Sequence, residues 1–209
     1  MLQTSPSDRR IGIFGGSFNP PHIAHLLVAE LISEQFDLDH VLWLTNFQSP
    51  LKNVEDIAPA SHRLAMTRLA IEGNERFSVS DLEVRRGGIS YTIDTIRTLQ
   101  DAHPHVDFRL IAGSDSLADF DTWREPQEIL DRVRLIIFRR PASEAVTFTA
   151  GLEARIDYAD APLFDVSATV IRNRIRAQKS IRYMVPEAVR SYILEHGLYT
   201  SDESASTVI

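Results

Sequence analysis

Short apolar runs of strand length alternate with amphipathic segments of helix length along most of the chain. Residues 10–14 (RIGIF), 40–45 (HVLWLT), 106–112 and 133–138 read as buried strands. Residues 77–84 are strand-like with a break near Asp81. Between these runs, residues 23–36, 60–71 and 91–100 carry apolar side chains at helical spacing, and a short helix is expected around 127–130. Ser90 is the expected N-cap of the 91–100 helix. Further on, Ser167 opens a helix to about 178, and a last helix over 187–196 is stopped by Gly197. Periodicity fades over 142–160. Strands alternating with helices predict an α/β fold: a Rossmann-like, doubly wound parallel sheet with C-terminal helices, its ligands at the carboxyl ends of the strands.

Composition narrows the class. The chain has 209 residues, of which 44% are apolar, and no cysteine. It is long enough to bury a core without disulfides or a structural metal. The missing thiols exclude disulfide scaffolds, cysteine nucleophiles and iron–sulfur centres. A net charge of −7 argues against nucleic acid or an anionic membrane as the main partner. The first nine residues are polar, and no apolar run approaches the length of a membrane span, so a cytoplasmic protein is expected. Residues 10–199 are expected to form one domain, between a flexible N-terminus (1–9) and a flexible tail (200–209). Assembly into a homo-oligomer is left open.

The chemistry concentrates directly after the first strand. Gly15, Gly16, Ser17, Phe18, Asn19, Pro20, Pro21 and His22 lead into the first helix, with His25 three residues further on. The glycines let the backbone turn and bring bare amides close to a ligand. The prolines suit the first turn of a helix. His22 and His25 lie on one helical face at its positive end, and phosphate is the natural occupant of such a place. Zinc is not expected, because no third ligand stands at a recognisable spacing. Neither G-x-G-x-x-G nor a P-loop is present, which disfavours a hydride-transfer domain and a P-loop NTPase. A second phosphate-binding start lies at Ser167, Thr169 and Arg172, where a capping hydroxyl, a first-turn hydroxyl and a guanidinium fork fall together. Alone, each block would more readily be an ordinary turn or cap; the pairing turns both toward a nucleotide.

The first block resembles the GxFxPxH-x-[GA]-H signature of the HxGH-type nucleotidyltransferases, with Ala24 where glycine is usual. The second resembles their [IV]-S-x-T-x-[IV]-R motif, which grips the β- and γ-phosphates of ATP. Within that superfamily the chain is most similar to bacterial nicotinate-nucleotide adenylyltransferases. The segments carrying this are Gly88–Thr95 (GISYTIDT), Ile111–Leu117 (IAGSDSL) with Phe120 and Trp123, and Pro186–Tyr199 (PEAVRSYILEHGLY), in order over residues 10–199. The resemblance implies a set of roles. His22, His25 and Arg172 are catalytic. ATP is held by Gly15, Gly16, Ser17, Phe18, His22, His25, Gly113, Asp115, Ser167, Thr169 and Arg172. Nicotinate mononucleotide is held by Asn46, Lys52, Tyr91, Thr92 and Trp123. Two of these residues have a plainer reading too: Asp115 could cap a helix and Trp123 could pack in the core. Leu51 replaces the family's histidine beside Lys52, and Arg139 and Arg140 could lie near the adenosine or form a surface turn. The implied reaction is adenylyl transfer from ATP to nicotinate mononucleotide, giving deamido-NAD and pyrophosphate, with magnesium entering alongside ATP and no protein metal site. An enzyme acting on nicotinamide mononucleotide and a non-catalytic dinucleotide sensor remain the rivals.

Overall fold

The computed structural model describes residues 9–50, 57–139 and 153–200, with backbone alone at 117 and 118. Its strands are β1 (Arg10–Gly16), β2 (His40–Thr45), β3 (Phe77–Ser80), β4 (Asp107–Gly113), β5 (Arg134–Phe138) and β6 (Ile156–Ala159). Its helices are α1 (Ile23–Gln35), α2 (Ala60–Ile71), α3 (Leu82–Arg86), α4 (Thr92–Ala102), α5 (Ser114–Ala118), α6 (Pro126–Arg132), α7 (Ala168–Arg176) and α8 (Glu187–Glu195). The strands form one sheet in the order β3-β2-β1-β4-β5-β6, and every pairing is parallel. This is the doubly wound arrangement that the alternation predicts.

The strands alternate between two cores with the period of two that a pleated strand imposes. Phe14, Val41, Trp43, Ile111, Ile136 and Phe138 face one side, where side chains of α1, α2, α7 and α8 cover them. Ile11, Ile13, Leu44, Leu110, Leu135 and Ile137 face the other, packed by Ile93, Ile96 and Leu99 of α4 and Ile129 and Leu130 of α6. The C-terminal helices therefore complete one face of the sheet, as expected. Gly12 belongs to this packing: a Cβ there would lie 2.8 Å from methyl carbons of both Ile111 and Leu38. Among the described residues no helix is long and apolar enough to cross a membrane.

Several expectations are corrected. The strand read over 77–84 ends at Ser80, and a one-turn-and-a-half helix, α3, follows the break at Asp81. The short edge strand β6 lies within the stretch where periodicity fades. Ser90 does not cap α4; Tyr91 occupies the N-cap position. The Ser90 hydroxyl instead accepts from the Phe47 amide at 3.0 Å, while the Ser90 amide donates to the Gln48 carbonyl at 2.9 Å, so it ties the loop after β2 to the start of α4. Pro20 and Pro21 stand before α1, not inside its first turn, because His22 is the N-cap. Ser167 caps α7 as expected, accepting from the Val170 amide at 3.3 Å, and Gly197 has the left-handed φ of 57° that stops α8. Lys52, Arg140 and the two termini lie outside the described residues.

Candidate active site

The strand order reverses between β1 and β4, and the loops leaving these two strands open a crevice at their carboxyl ends. A cavity of about 760 Å³ fills it. Its lining brings together Gly15, Gly16, Ser17, Phe18, His22 and His25 from the first block, Gly113 and Asp115 after β4, and Ser167, Thr169 and Arg172 from α7. Asn46, Tyr91, Thr92 and Trp123 line the same cavity. Residues separated by up to about 160 positions in sequence thus converge on one cleft. A smaller cavity of about 120 Å³ adjoins it at His22, His25 and Ser167 and is closed by Phe138, Arg139 and Phe164.

The glycine turn is held by packing around Phe18. Phe18 adopts a left-handed φ of 45° with its ring buried, and a Cβ at Gly16 would lie 3.0 Å from that ring. Gly15 differs: a Cβ there meets nothing within 4 Å. Packing within the protein leaves room for a side chain at Gly15, and its bare backbone faces the cleft. His22 is 2% exposed, and its ring stacks on that of His25 with centroids 3.7 Å apart. Phe14 and Phe18 hold His25 edge-on from two sides. His25 Nδ1 accepts from the His22 backbone amide at 3.2 Å. A nitrogen that accepts cannot carry the proton, so the hydrogen sits on Nε2, which is left as a donor.

Arg172 reaches back to this turn. Its Nη1 donates to the Asn19 carbonyl at 3.1 Å and its Nη2 to Thr169 Oγ1 at 3.4 Å. Its Nε is buried with no acceptor among the described residues. A buried donor without a partner is costly, and an anion entering the cleft would supply one. At the start of α1 the Ile23 amide donates to the Met184 carbonyl at 3.0 Å and the His25 amide to the His22 carbonyl at 2.9 Å, and at the start of α7 the Val170 amide donates to Ser167 Oγ. The dipoles of both helices still set their positive ends along the same cavity.

The other end of the cleft is built differently. Tyr91 caps α4, and the amides behind it are the open end of that helix. Arg124 lies 4.8 Å above the Tyr91 ring centroid. Trp123 packs on Phe120 with centroids 5.3 Å apart, and its indole Nε1 has no acceptor among the described residues. Glu83 is buried and accepts from Thr95 Oγ1 at 2.6 Å; Arg86 donates to the same hydroxyl at 3.0 Å. Asn46 donates to Ser17 Oγ at 3.2 Å. Asp115 lies in α5 and is exposed at the cleft wall.

Sequence reasoning missed the residue that joins these loops. Arg63 of α2 is 1% exposed and makes five hydrogen bonds, to the carbonyls of Ser17, Asn46, Phe47 and Ala58 and to Asn46 Oδ1. Burial lowers its pKa below the ordinary guanidinium value. A buried cation is expensive unless each donor is paired, and here the pairing is with both loops flanking the cleft. Its only sequence signal was an arginine among apolar residues of an amphipathic helix, which does not separate a buried arginine from a solvated one. Asn19 and Tyr199, bonded to each other at 2.8 Å, were missed for a similar reason.

Comparison with known proteins agrees with this geometry at two levels. The cytidylyltransferase-like family model matches residues 13–174. The chain belongs to this family of nucleotidyltransferases. It is 50% identical over 189 residues to a protein of Salinibacter ruber named a probable nicotinate-nucleotide adenylyltransferase, covering 90% of this chain and 97% of that one. A protein of the same name from Herpetosiphon aurantiacus is 42% identical, with 91% and 98% covered. Among solved structures, the fold is that of Plasmodium falciparum nicotinic acid mononucleotide adenylyltransferase complexed with NaAD, at a TM-score of 0.74 and 20% identity, covering 91% of this chain and 97% of that one. Within the nucleotidyltransferases, the chain belongs to the nicotinate-nucleotide adenylyltransferase family.

Proposed function

We infer that the protein transfers the adenylyl group of ATP to nicotinate mononucleotide, forming deamido-NAD and pyrophosphate in NAD biosynthesis. The observation that carries the reading is the convergence of His22, His25 and Arg172 on one cleft with the Tyr91–Trp123 end opposite. The mononucleotide's phosphate is already an anionic nucleophile, so no covalent intermediate or strong base is needed. Its oxygen attacks the α-phosphorus of ATP, the bond from that phosphorus to the bridging oxygen breaks, and pyrophosphate leaves. The protein's work is positioning and charge stabilisation. His25, as a neutral Nε2–H donor, is assigned to the α-phosphate, with His22 beside it. Ser167, Thr169 and Arg172 are assigned to the β- and γ-phosphates, and the bare backbone at Gly15 and Gly16, with Ser17 and Phe18, lets the chain pass close beneath them. The adenosine is assigned to the side of Gly113, Asp115 and the smaller cavity beside Arg139.

At the opposite end Trp123 is assigned to the pyridine ring, the amides at Tyr91 and Thr92 to the nicotinate carboxylate, and Asn46 with Lys52 to the mononucleotide. Among the described residues no group of three or more histidine or acidic side chains could hold a metal. A divalent ion, which we take to be magnesium, fits here as a partner of the triphosphate and water, offsetting phosphate charge. The same reading treats residues 10–199 as one nucleotide-transfer unit working in the cytoplasm, with no part for nucleic acid.

The test is pyrophosphate release from ATP with nicotinate mononucleotide, with nicotinamide mononucleotide and with no acceptor. Release that depends on the nicotinate form is expected. Equal release with the amide form would overturn the substrate assignment, and tight binding of dinucleotide with no release would make the protein a sensor.

A further inference from the structure

Asn19 is 5% exposed and collects bonds from three distant parts of the chain. Its Oδ1 accepts from the Tyr199 hydroxyl at 2.8 Å and from the Ala58 amide at 3.0 Å. Its carbonyl accepts from Arg172 Nη1 at 3.1 Å. The Ala58 carbonyl in turn accepts from Arg63 Nε at 2.8 Å, and Arg63 Nη1 returns to the Ser17 carbonyl at 2.8 Å. Among the described residues, Arg172 makes only one other hydrogen bond, the longer one to Thr169 on its own helix. The placement of its guanidinium over the glycine turn therefore depends on how the Asn19 peptide is oriented.

Tyr199 and the Ala58 amide both hold the Asn19 side chain from outside the turn, and of the two only Tyr199 does so through a side chain. Tyr199 follows α8 and Gly197, and its own φ is 65°, a left-handed conformation that a tyrosine rarely adopts. Such backbone persists where the surroundings over-determine it. Here the ring packs against the core beneath α1 and α8, and the Leu198 amide closes on the Ile193 carbonyl at 3.0 Å. Burial raises the phenol's pKa, so the hydroxyl keeps its proton and remains a donor.

We propose that Tyr199 is a positioning residue for ATP phosphate binding: through Asn19 it sets the Arg172 guanidinium against the glycine turn. The C-terminal segment thus reaches the reacting groups without touching substrate. The inference rests on the reading of the cleft as an ATP site, and it predicts a defect confined to the ATP side.

The test is a double-mutant cycle on the full chain with Tyr199→Phe and Arg172→Ala. ATP affinity is measured by titration calorimetry, and kcat and both KM values by pyrophosphate release. Tyr192→Phe is the control: it too removes a hydroxyl bonded at 3.0 Å, to His62, outside the cleft lining. Tyr199→Phe should weaken ATP binding several-fold and lower kcat about tenfold, with the mononucleotide KM unchanged and a melting-temperature shift no larger than that of Tyr192→Phe. In the Arg172→Ala background the same substitution should have no further effect on ATP. Asn19→Ser, which withdraws the acceptor from the other side, should repeat the pattern if Tyr199→Phe does not fold. Unchanged ATP affinity in Tyr199→Phe, or an equal loss with and without Arg172, would overturn the proposal. If the wild-type protein makes no dinucleotide, the functional reading fails, while the ATP-affinity cycle still decides this one.

Discussion

The two blocks of the cleft that we assign to phosphate use the same physics with opposite degrees of support. The turn from Gly15 to His25 is locked from within: Phe18 and His22 are buried, the two imidazoles stack, and His25 Nδ1 is tied to the backbone. The start of α7 is exposed at Thr169 and Val170, and Arg172 meets the turn through a single bond to Asn19. The difference suits their assigned tasks. Donors that must match the geometry of a transition state gain from being held rigid before substrate arrives. Donors that hold and then release pyrophosphate need less support.

The comparison can be broken most sharply at the histidine. His25→Ala should lower kcat about 10²–10³-fold, the range seen when one preorganised transition-state donor is removed, with the fold kept but the melting temperature lowered, because the ring stack and the acceptor of the His22 amide are lost. Arg172→Ala should lose less in kcat and more in ATP affinity. Equal kinetic losses of the same kind would erase the distinction between the two blocks. Two glycines, Gly15 of the first block and Gly12 within β1, come next. Gly15→Ala adds a methyl group into open space, so it should leave the fold intact and raise the KM for ATP by about tenfold, through loss of close backbone approach. Gly12→Ala should do the reverse, costing about 1–3 kcal/mol of stability by overpacking while the folded enzyme keeps its kinetic constants.

The smallest effect is expected at the amino end of β2, away from the cleft. His40 has a pKa lowered from 6.5, chiefly by burial and then by Arg9, and its Nε2 shares a 2.7 Å hydrogen bond with Ser78. The folded protein resists a proton that the unfolded chain accepts near 6.5, so this contribution is complete above that pH and is lost as pH falls. Thermal melts between about pH 7 and 5 should therefore decline less steeply for His40→Gln than for wild type, with kcat unaffected.

Much of this organisation was legible because it is local. The ranges of β2 and α2 coincide with those read from the sequence, since β2 carries an unbroken apolar run over Val41–Leu44 and α2 brings in apolar side chains such as Leu64, Met66, Ala70 and Ile71 along its length. The glycine turn and the Ser167 cap were legible for the same reason. Other elements were hidden by length: α3 is five residues and β6 four, too short for a period to declare itself. Ser90 looked like a cap because its type suits one, yet Phe47, 43 positions away, takes its hydroxyl. Arg63 and Tyr199 act over separations of up to 46 and 180 residues, and bonds of that reach leave no mark on neighbouring sequence.

On the function proposed for it, the cleft directs an attack on the α-phosphorus of ATP by the phosphate of nicotinate mononucleotide. ATP labelled separately at its α- and γ-phosphates, incubated with the mononucleotide, tests it most directly. The α label should appear in the dinucleotide and the γ label in pyrophosphate. A γ label passed to the mononucleotide, or an α label that stays in adenine nucleotide, would contradict the account.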